Sequence, residues 1–349
     1  MKPPGTENGI IRYSYLIRAV AILLVILDHC VYRLTSEVVD WKVYAYVFGC
    51  NSLLFFMIAG VHNLPVTGVR AFYIKRILKI GIPTAIFVLL YAYLDRYVYG
   101  SVKPGWFLQN HLLDVPFDYP QPWLWFMYVL GGLYLIAPFM SQVILNGKKK
   151  LIEFYLVMWF ATGFLPYVSM IVERAPMPEE IFHPFIGYLG YMLAGWYLHN
   201  YPFQTWSGKK QAFFVAVIAF AIVFPLIISH TKYDAAATGK GIYCNNLSAL
   251  IMALSLLVFV ILQNVNSLGR VLDKVVEFVA KQAFAMYLVH FYIIEHVVKE
   301  HFGMTDSVLC GSLLAIAITI AVAYPLQMLF TLFYKNTQKL FFAKSTKNT

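Results

Sequence analysis

Charge is scarce in this sequence. Of its 349 residues only 13% are Asp, Glu, Lys or Arg, against roughly 25% in soluble domains, which excludes an ordinary water-soluble enzyme. Cysteine is scarce too. Cys30, Cys50, Cys244 and Cys310 are the four present, and no CxxC or Cys/His spacing joins them, so zinc ribbons and dithiol redox motifs have no support and no metal site is expected. There is no Gly/Ser linker, repeat motif or low-complexity tract, so residues 1–349 read as a single transmembrane domain without a soluble partner domain. The net charge is +10. A nucleic-acid partner is nevertheless excluded, because the Lys and Arg are spread through short loops and are not gathered on one solvated face.

The sequence is rich in apolar and aromatic residues. Hydrophobic residues make up 60%, the mean hydropathy is +0.67, and 28 Phe, 25 Tyr and 7 Trp suit lipid contact and interfacial belts. A bilayer-spanning helix needs about 20 apolar residues. Ten such stretches are legible, at about 13–34, 43–63, 80–99, 123–144, 151–171, 184–199, 211–230, 245–263, 282–298 and 307–333. The expected fold is therefore all-α, a polytopic membrane helix bundle of about ten helices. Arg70 to Lys79 form a basic amphipathic approach to the third span. The longest loop, about 95–122, carries Pro104, Gly105, Pro116, Pro120 and Pro122 and is placed to cap a site.

Positive residues flanking spans are retained on the cytoplasmic side. With the N-terminus inside, 18 of the 27 Lys and Arg fall there and 8 outside, while 12 of the 17 acids fall outside. Both termini are thus expected in the cytoplasm. The first span carries Arg18, Asp28 and His29 and lacks a small-residue cleavage pattern, so it is not read as a signal peptide. All four Cys lie toward the outside, which leaves a Cys244–Cys310 disulfide open in an oxidising compartment.

Three ionisable groups in one span are costly in hydrocarbon and usually face a bundle interior or a wet cavity. Arg18 and His29 are eleven residues apart, which returns them to nearly one helix face about 16 Å apart along the axis. Asp28 lies roughly 80–100° around the helix from His29, placed to shape the field near the imidazole and not required to bond to it. The plainer alternative has Arg18 snorkelling to the inner interface with Asp28 and His29 anchoring the outer end.

The first span, "IRAVAILLVILDH" with Arg-x10-His at Arg18 and His29, resembles the acyltransferase 3 family of integral-membrane O-acyltransferases that modify bacterial surface polysaccharides. The resemblance continues through Asn51 to Gly60, similar to the family's "FF-x-x-SG" span, and through Lys75-Arg76-Ile77-Leu78-Lys79, similar to its Arg-x-x-Arg segment. It extends over Trp123-Leu124-Trp125-Phe126 with Tyr134 and Pro138, over Gly187 to Gly195, and over Met286-Tyr287-Leu288-Val289-His290. Six elements in the family's order cover nearly the whole chain. Lys79 stands where the family has a second Arg, Ala59 where it has Ser before Gly60, and Ala283 where the late span often has Ser.

That resemblance implies transfer of an acyl group, most often acetyl, from acetyl-CoA or another acyl-CoA as donor substrate to a sugar hydroxyl of a lipid-linked or polymeric glycan. It implies a multi-pass protein of the bacterial cytoplasmic membrane with no permanently bound cofactor. The acid-free cluster of Arg70, Lys75, Arg76 and Lys79 suits coenzyme A phosphates, and alone it equally suits positive-inside retention or anionic membrane lipids. Lys79 offers a point charge in place of a planar fork. His29 is the candidate general base, because a neutral imidazole accepts a proton near pH 7; a covalent acyl-imidazole is the second route. Tyr287 and His290 share a helix face, and Trp123 and Trp125 are candidates for the acceptor path. His62, His183 and His199 near span ends read as interfacial anchors, and Glu295 and His296 as the start of an outer loop. The rival class is a glycan or small-anion transporter, which would also use intramembrane Arg, His and Asp but would show broken helices paired between two halves. The orientation has a direct test. A fluorescent protein fused after Thr349 is expected to fluoresce and alkaline phosphatase at the same point to be inactive; the opposite pair of results would reverse the topology.

Overall fold

The computed structural model describes residues 7–34, 41–97, 122–147, 149–172, 184–232, 245–302 and 307–342. Among these residues there are helices and turns and no strands, as expected where backbone polar groups must be satisfied within each segment. In chain order the helices are α1 Glu7–Leu34, α2 Trp41–Phe48, α3 Leu53–Asn63, α4 Val69–Arg76, α5 Ile82–Tyr97, α6 Trp125–Asn146, α7 Lys149–Thr162, α8 Leu165–Val172, α9 Leu189–Asn200, α10 Gly208–Lys232, α11 Ala249–Gln263, α12 Arg270–Tyr292, α13 Glu300–Phe302 and α14 Val308–Phe342. π-helical turns at Ile77–Gly81 and Ile293–Lys299 join α4 to α5 and α12 to α13.

The chain is an all-α polytopic membrane bundle. Among the described residues seven helices or helix pairs are long and apolar enough to cross a bilayer, and they match seven of the ten expected spans. The other three are the 12-residue α9, the 15-residue α11 and the second half of α12 with its π turn. Both short helices are enclosed: every residue from Gly190 to Leu198 is buried, as is every residue from Ala249 to Leu256. Around them α6, α7, α10 and α14 turn Leu135, Val157, Phe213 and Leu309 outward, the apolar surface that a lipid environment accepts. Pro138, Pro225 and Pro325 lie inside α6, α10 and α14. Such prolines are tolerated in membrane helices, where neighbours re-satisfy the freed carbonyls.

The basic approach to the third span is not a separate amphipathic segment. Residues from Val69 to Tyr97 form one continuous helical run through the π turn, so Arg76 and Lys79 sit within the span's first turns. The second span is broken between α2 and α3. Gly49 closes on α11, where a Cβ would meet the Ile251 side chain at 2.2 Å, and the turn leaves Asn51 and Ser52 at the break. Cys244, half of the conceivable disulfide, lies outside the described residues, as do His183 and most of the long 95–122 loop.

Helices α3 and α9 meet backbone to backbone. A Cβ on Gly60 would lie 1.8 Å from the Met192 carbonyl oxygen and one on Gly195 2.0 Å from the Met57 carbonyl oxygen, the close approach that small residues permit between membrane helices. At one end of the bundle Arg12 of α1 pairs with Asp273 in the first turn of α12. The Ser267 hydroxyl and the Leu268 amide, with Arg12, hold the Asp273 carboxyl below the usual range. Gly60→Ala and Gly195→Ala are each expected to cost about 1–3 kcal/mol through overpacking and to lower the thermal midpoint of the solubilised protein. Gly131→Ala and Gly132→Ala, where a Cβ meets nothing within 4 Å, should leave it unchanged. Equal behaviour of the two pairs would show that the α3–α9 contact is not tight.

Candidate active site

Helix α1 runs past two cavities, and its three intramembrane ionisable residues are divided between them. The first cavity, about 420 Å³, is lined by Arg18, His62, Arg76, Lys79, Tyr134 and Lys281 between walls that include Phe126, Phe284 and Tyr334. The second, about 340 Å³, is lined by Asp28, His29, Tyr44, Asn51, Trp125 and Asn246. Tyr287 lines both. Arg18 and His29 therefore face the interior, as their spacing predicts, but open into different chambers on either side of one tyrosine.

The first cavity gathers cations without an acid on its wall. Arg18 donates from Nη2 to His62 Nε2 at 2.9 Å, and Ser14 Oγ lies 2.6 Å from the same nitrogen. A guanidinium can only donate, so His62 Nε2 is the acceptor. Ser14 and Arg18 are one helical turn apart, which brings both to one imidazole. Arg76 sits over the rings of Phe72 and Tyr134 at 5.3 Å from each centroid, and its Nε is buried with no protein partner. Lys79 lies over Tyr334 at 4.5 Å. At the mouth, Lys281 donates to Glu277 at 2.5 Å, and this carboxylate raises the ammonium above its ordinary value. Arg70 and Lys75 do not line the cavity, so of the four clustered cations the fold brings two to Arg18.

The second cavity mixes one carboxylate, two amides, an imidazole and aromatic faces. Asp28 accepts from Asn51 Nδ2 at 3.0 Å through Oδ2, while its Oδ1 is buried without a protein partner. His29 meets Phe291 edge to face, with centroids 5.2 Å apart and planes at 89°. Phe291 in turn stacks on Trp123 at 4.1 Å and 12°, and the Arg33 guanidinium lies 5.3 Å from its ring centroid. The Tyr287 hydroxyl donates to the Trp123 carbonyl at 2.5 Å, which fixes the shared wall. Of the two candidate tryptophans only Trp125 lines the cavity; Trp123 supports the wall from behind. Glu295 and His296 belong to the π turn, not a loop, and Glu295 accepts from Arg33 at 2.7 Å and from Lys299 at 3.0 Å.

Comparison with known families decides what kind of protein builds this pair of chambers. The acyltransferase 3 family model, an acyltransferase domain, matches residues 11–328, nearly the whole chain. The chain belongs to the acyltransferase 3 family. No curated protein and no solved structure matches it. Membership makes it a membrane acyltransferase by family. The whole lining of the second chamber falls within the matched residues, and so does that of the first apart from Phe330, Thr331 and Tyr334 of α14.

His62, which reads from the sequence as an interfacial anchor, is instead the partner of Arg18 on the first cavity wall. Asn51, Tyr134 and Asn246 also line the chambers without standing out as functional in the sequence. Asn51 stands at the break of the second span, and a polar residue beside a helix interruption is the signal that marks it. His199, a second expected anchor, bonds the Tyr13 hydroxyl through Nδ1 at 2.8 Å. Among the described residues no group of three His, Cys, Asp or Glu is arranged to hold a metal. Asn51→Leu would take a hydrogen-bond partner from the Asp28 carboxylate and is expected to cost about 1–3 kcal/mol, measured as a lower unfolding midpoint. Asp28→Asn in the same background should recover part of that loss; no recovery would show that the two residues act independently.

Proposed function

We propose that the chain is an O-acyltransferase of the bacterial cytoplasmic membrane that moves an acyl group, acetyl in the first instance, from cytoplasmic acyl-CoA to a sugar hydroxyl of a lipid-linked or polymeric glycan. The observation that carries this reading is the pair of cavities of opposite character meeting at Tyr287. The cationic chamber suits a polyanionic donor: Arg76, Lys79 and Arg18 are the phosphate ligands, and Arg70 and Lys75 at the approach steer the donor in. The second chamber suits a sugar, with Trp125 and Tyr44 offering ring faces and Asn51, Asn246 and Asp28 offering hydrogen bonds to hydroxyls. Both termini and the cationic chamber face the cytoplasm, on the strength of the Lys and Arg distribution.

His29 is the base. One ring nitrogen takes the proton of the acceptor hydroxyl as its oxygen attacks the thioester carbonyl carbon. The new C–O bond forms, the C–S bond breaks, and the proton passes from the imidazolium to the departing thiolate, giving free coenzyme A. The pantetheine arm would reach His29 past Tyr287, whose hydroxyl is already tied back to Trp123. Asp28, next in sequence but turned toward Asn51, acts on the acceptor and not on the imidazole.

The test is coenzyme A release from acetyl-CoA by the purified, detergent-solubilised protein, with and without a lipid-linked glycan fraction. Glycan-dependent release is expected, falling about 10²–10⁴-fold in His29→Ala. Arg76→Ala should raise the KM for acetyl-CoA about tenfold, equivalent to ~1.4 kcal/mol. A His29 adduct of acetyl mass trapped without acceptor would favour the acyl-imidazole route over simple base catalysis. Binding of glycan with no release from acetyl or succinyl donors would overturn the reading in favour of a transporter.

A further inference from the structure

His290 is wholly buried, at 0% exposure, and lines neither cavity that meets at Tyr287. Its Nδ1 lies 2.7 Å from the Tyr287 carbonyl oxygen. A carbonyl can only accept, so Nδ1 carries the hydrogen and, in the neutral ring, Nε2 carries the lone pair. That Nε2 is buried with no protein partner. An unsatisfied buried acceptor costs about 1–3 kcal/mol, so packing alone does not explain the position. The His29 ring packs against the His290 ring, with centroids 5.2 Å apart and planes at 40°. This separation leaves room for two imidazoles to be joined edge to edge by one N–H···N bond of ordinary length. Hydrogen bonds of this kind are commonly long before substrate binds and tighten in the reacting complex.

We propose that His290 is a positioning residue for His29: its Nε2 accepts the N–H of His29, which fixes one tautomer and leaves the other His29 nitrogen bare toward the acceptor chamber. The arrangement is a relay of orientation. The Tyr287 backbone carbonyl sets the His290 tautomer, His290 sets that of His29, and Phe291, next in sequence, holds the His29 ring at right angles to its own. When His29 takes the hydroxyl proton it becomes an imidazolium whose second N–H is already directed at a lone pair, so the charge formed in the transition state meets an oriented acceptor. No proton moves to His290 and none is consumed. Partners that orient a metal-bound histidine through its far nitrogen typically change its performance about 10–100-fold, and an effect of the same order is expected for an imidazole acting as a base.

This inference rests on His29 being the base, so its test has one readout that needs no turnover. In protein carrying ¹⁵N-labelled histidine, with the His29 signals assigned by their loss in His29→Ala, His29 is expected to show a single neutral tautomer. In His290→Phe, which keeps an aromatic ring but removes the lone pair, it should show a mixture. In the coenzyme A release assay with acetyl-CoA and the lipid-linked glycan fraction, His290→Phe should lower kcat about 10–100-fold with the KM for acetyl-CoA unchanged. His290→Gln, which restores an acceptor near the Nε2 position, should recover part of kcat. A tautomer mixture for His29 in the unaltered protein would overturn the proposal even if His290→Phe did not fold. So would a His290→Phe variant with unchanged tautomer and kcat, or one in which KM and kcat change together and Gln does not help. If the unaltered protein transfers no acyl group at all, the acyltransferase reading fails, while the spectrum still decides the His29–His290 pairing.

Discussion

The contact on which the rest depends is the crossing of α3 and α9 at Gly60 and Gly195. Each glycine meets the other helix's backbone at a distance where any side chain would collide with a carbonyl oxygen. In a bilayer, where lipid is as apolar as Leu, such close van der Waals approach is a principal source of helix association. Its consequence reaches both chambers, because α3 carries polar groups at both ends. His62 and Asn63 leave its last turn toward Arg18 and Tyr134; Asn51 and Ser52 precede its first turn beside Asp28. Fixing the middle of α3 thus fixes the partners of Arg18 and Asp28 at once.

The second organising feature is the wall between the chambers. Tyr287, Trp123 and Phe291 are joined by one hydrogen bond and one ring stack. An aromatic side chain fills apolar space while its polar tip finds a partner, as the Tyr287 hydroxyl does in the Trp123 carbonyl. Of these three rings Tyr287 is the one that lines both chambers, with His29 in the second and Arg18 in the first.

Both π-helical turns adjoin charged or buried polar side chains. Ile77–Gly81 comes directly after Arg76 and contains Lys79; Ile293–Lys299 begins three residues after His290 and holds Glu295. A π turn adds a residue to a helix and rotates the turns beyond it, and such bulges gather at functional sites. Here the first separates Lys79 from the α-helical phase of Arg76 while both reach one cavity, and the second carries Glu295 to Arg33.

Composition and spacing by themselves determined the membrane setting, the helical class and which ionisable residues of α1 turn inward, since hydrocarbon penalises charge whatever the fold. Arg18, Asp28 and His29 are legible for that reason, and the ordered run of motifs makes the family legible with them. The short helices α9 and α11 read as spans without any sign that they are enclosed, because hydropathy does not distinguish lipid from protein as the apolar neighbour. Only the tertiary structure decided that Arg18 and His29 serve different chambers, that Arg76 and Lys79 but not Arg70 and Lys75 line the cationic one, and that His62 and His290 stand behind the two α1 residues. Those facts depend on contacts between residues distant in the chain, Arg18 with His62 and His29 with His290, and a periodicity within one helix carries no information about which neighbour will cover it.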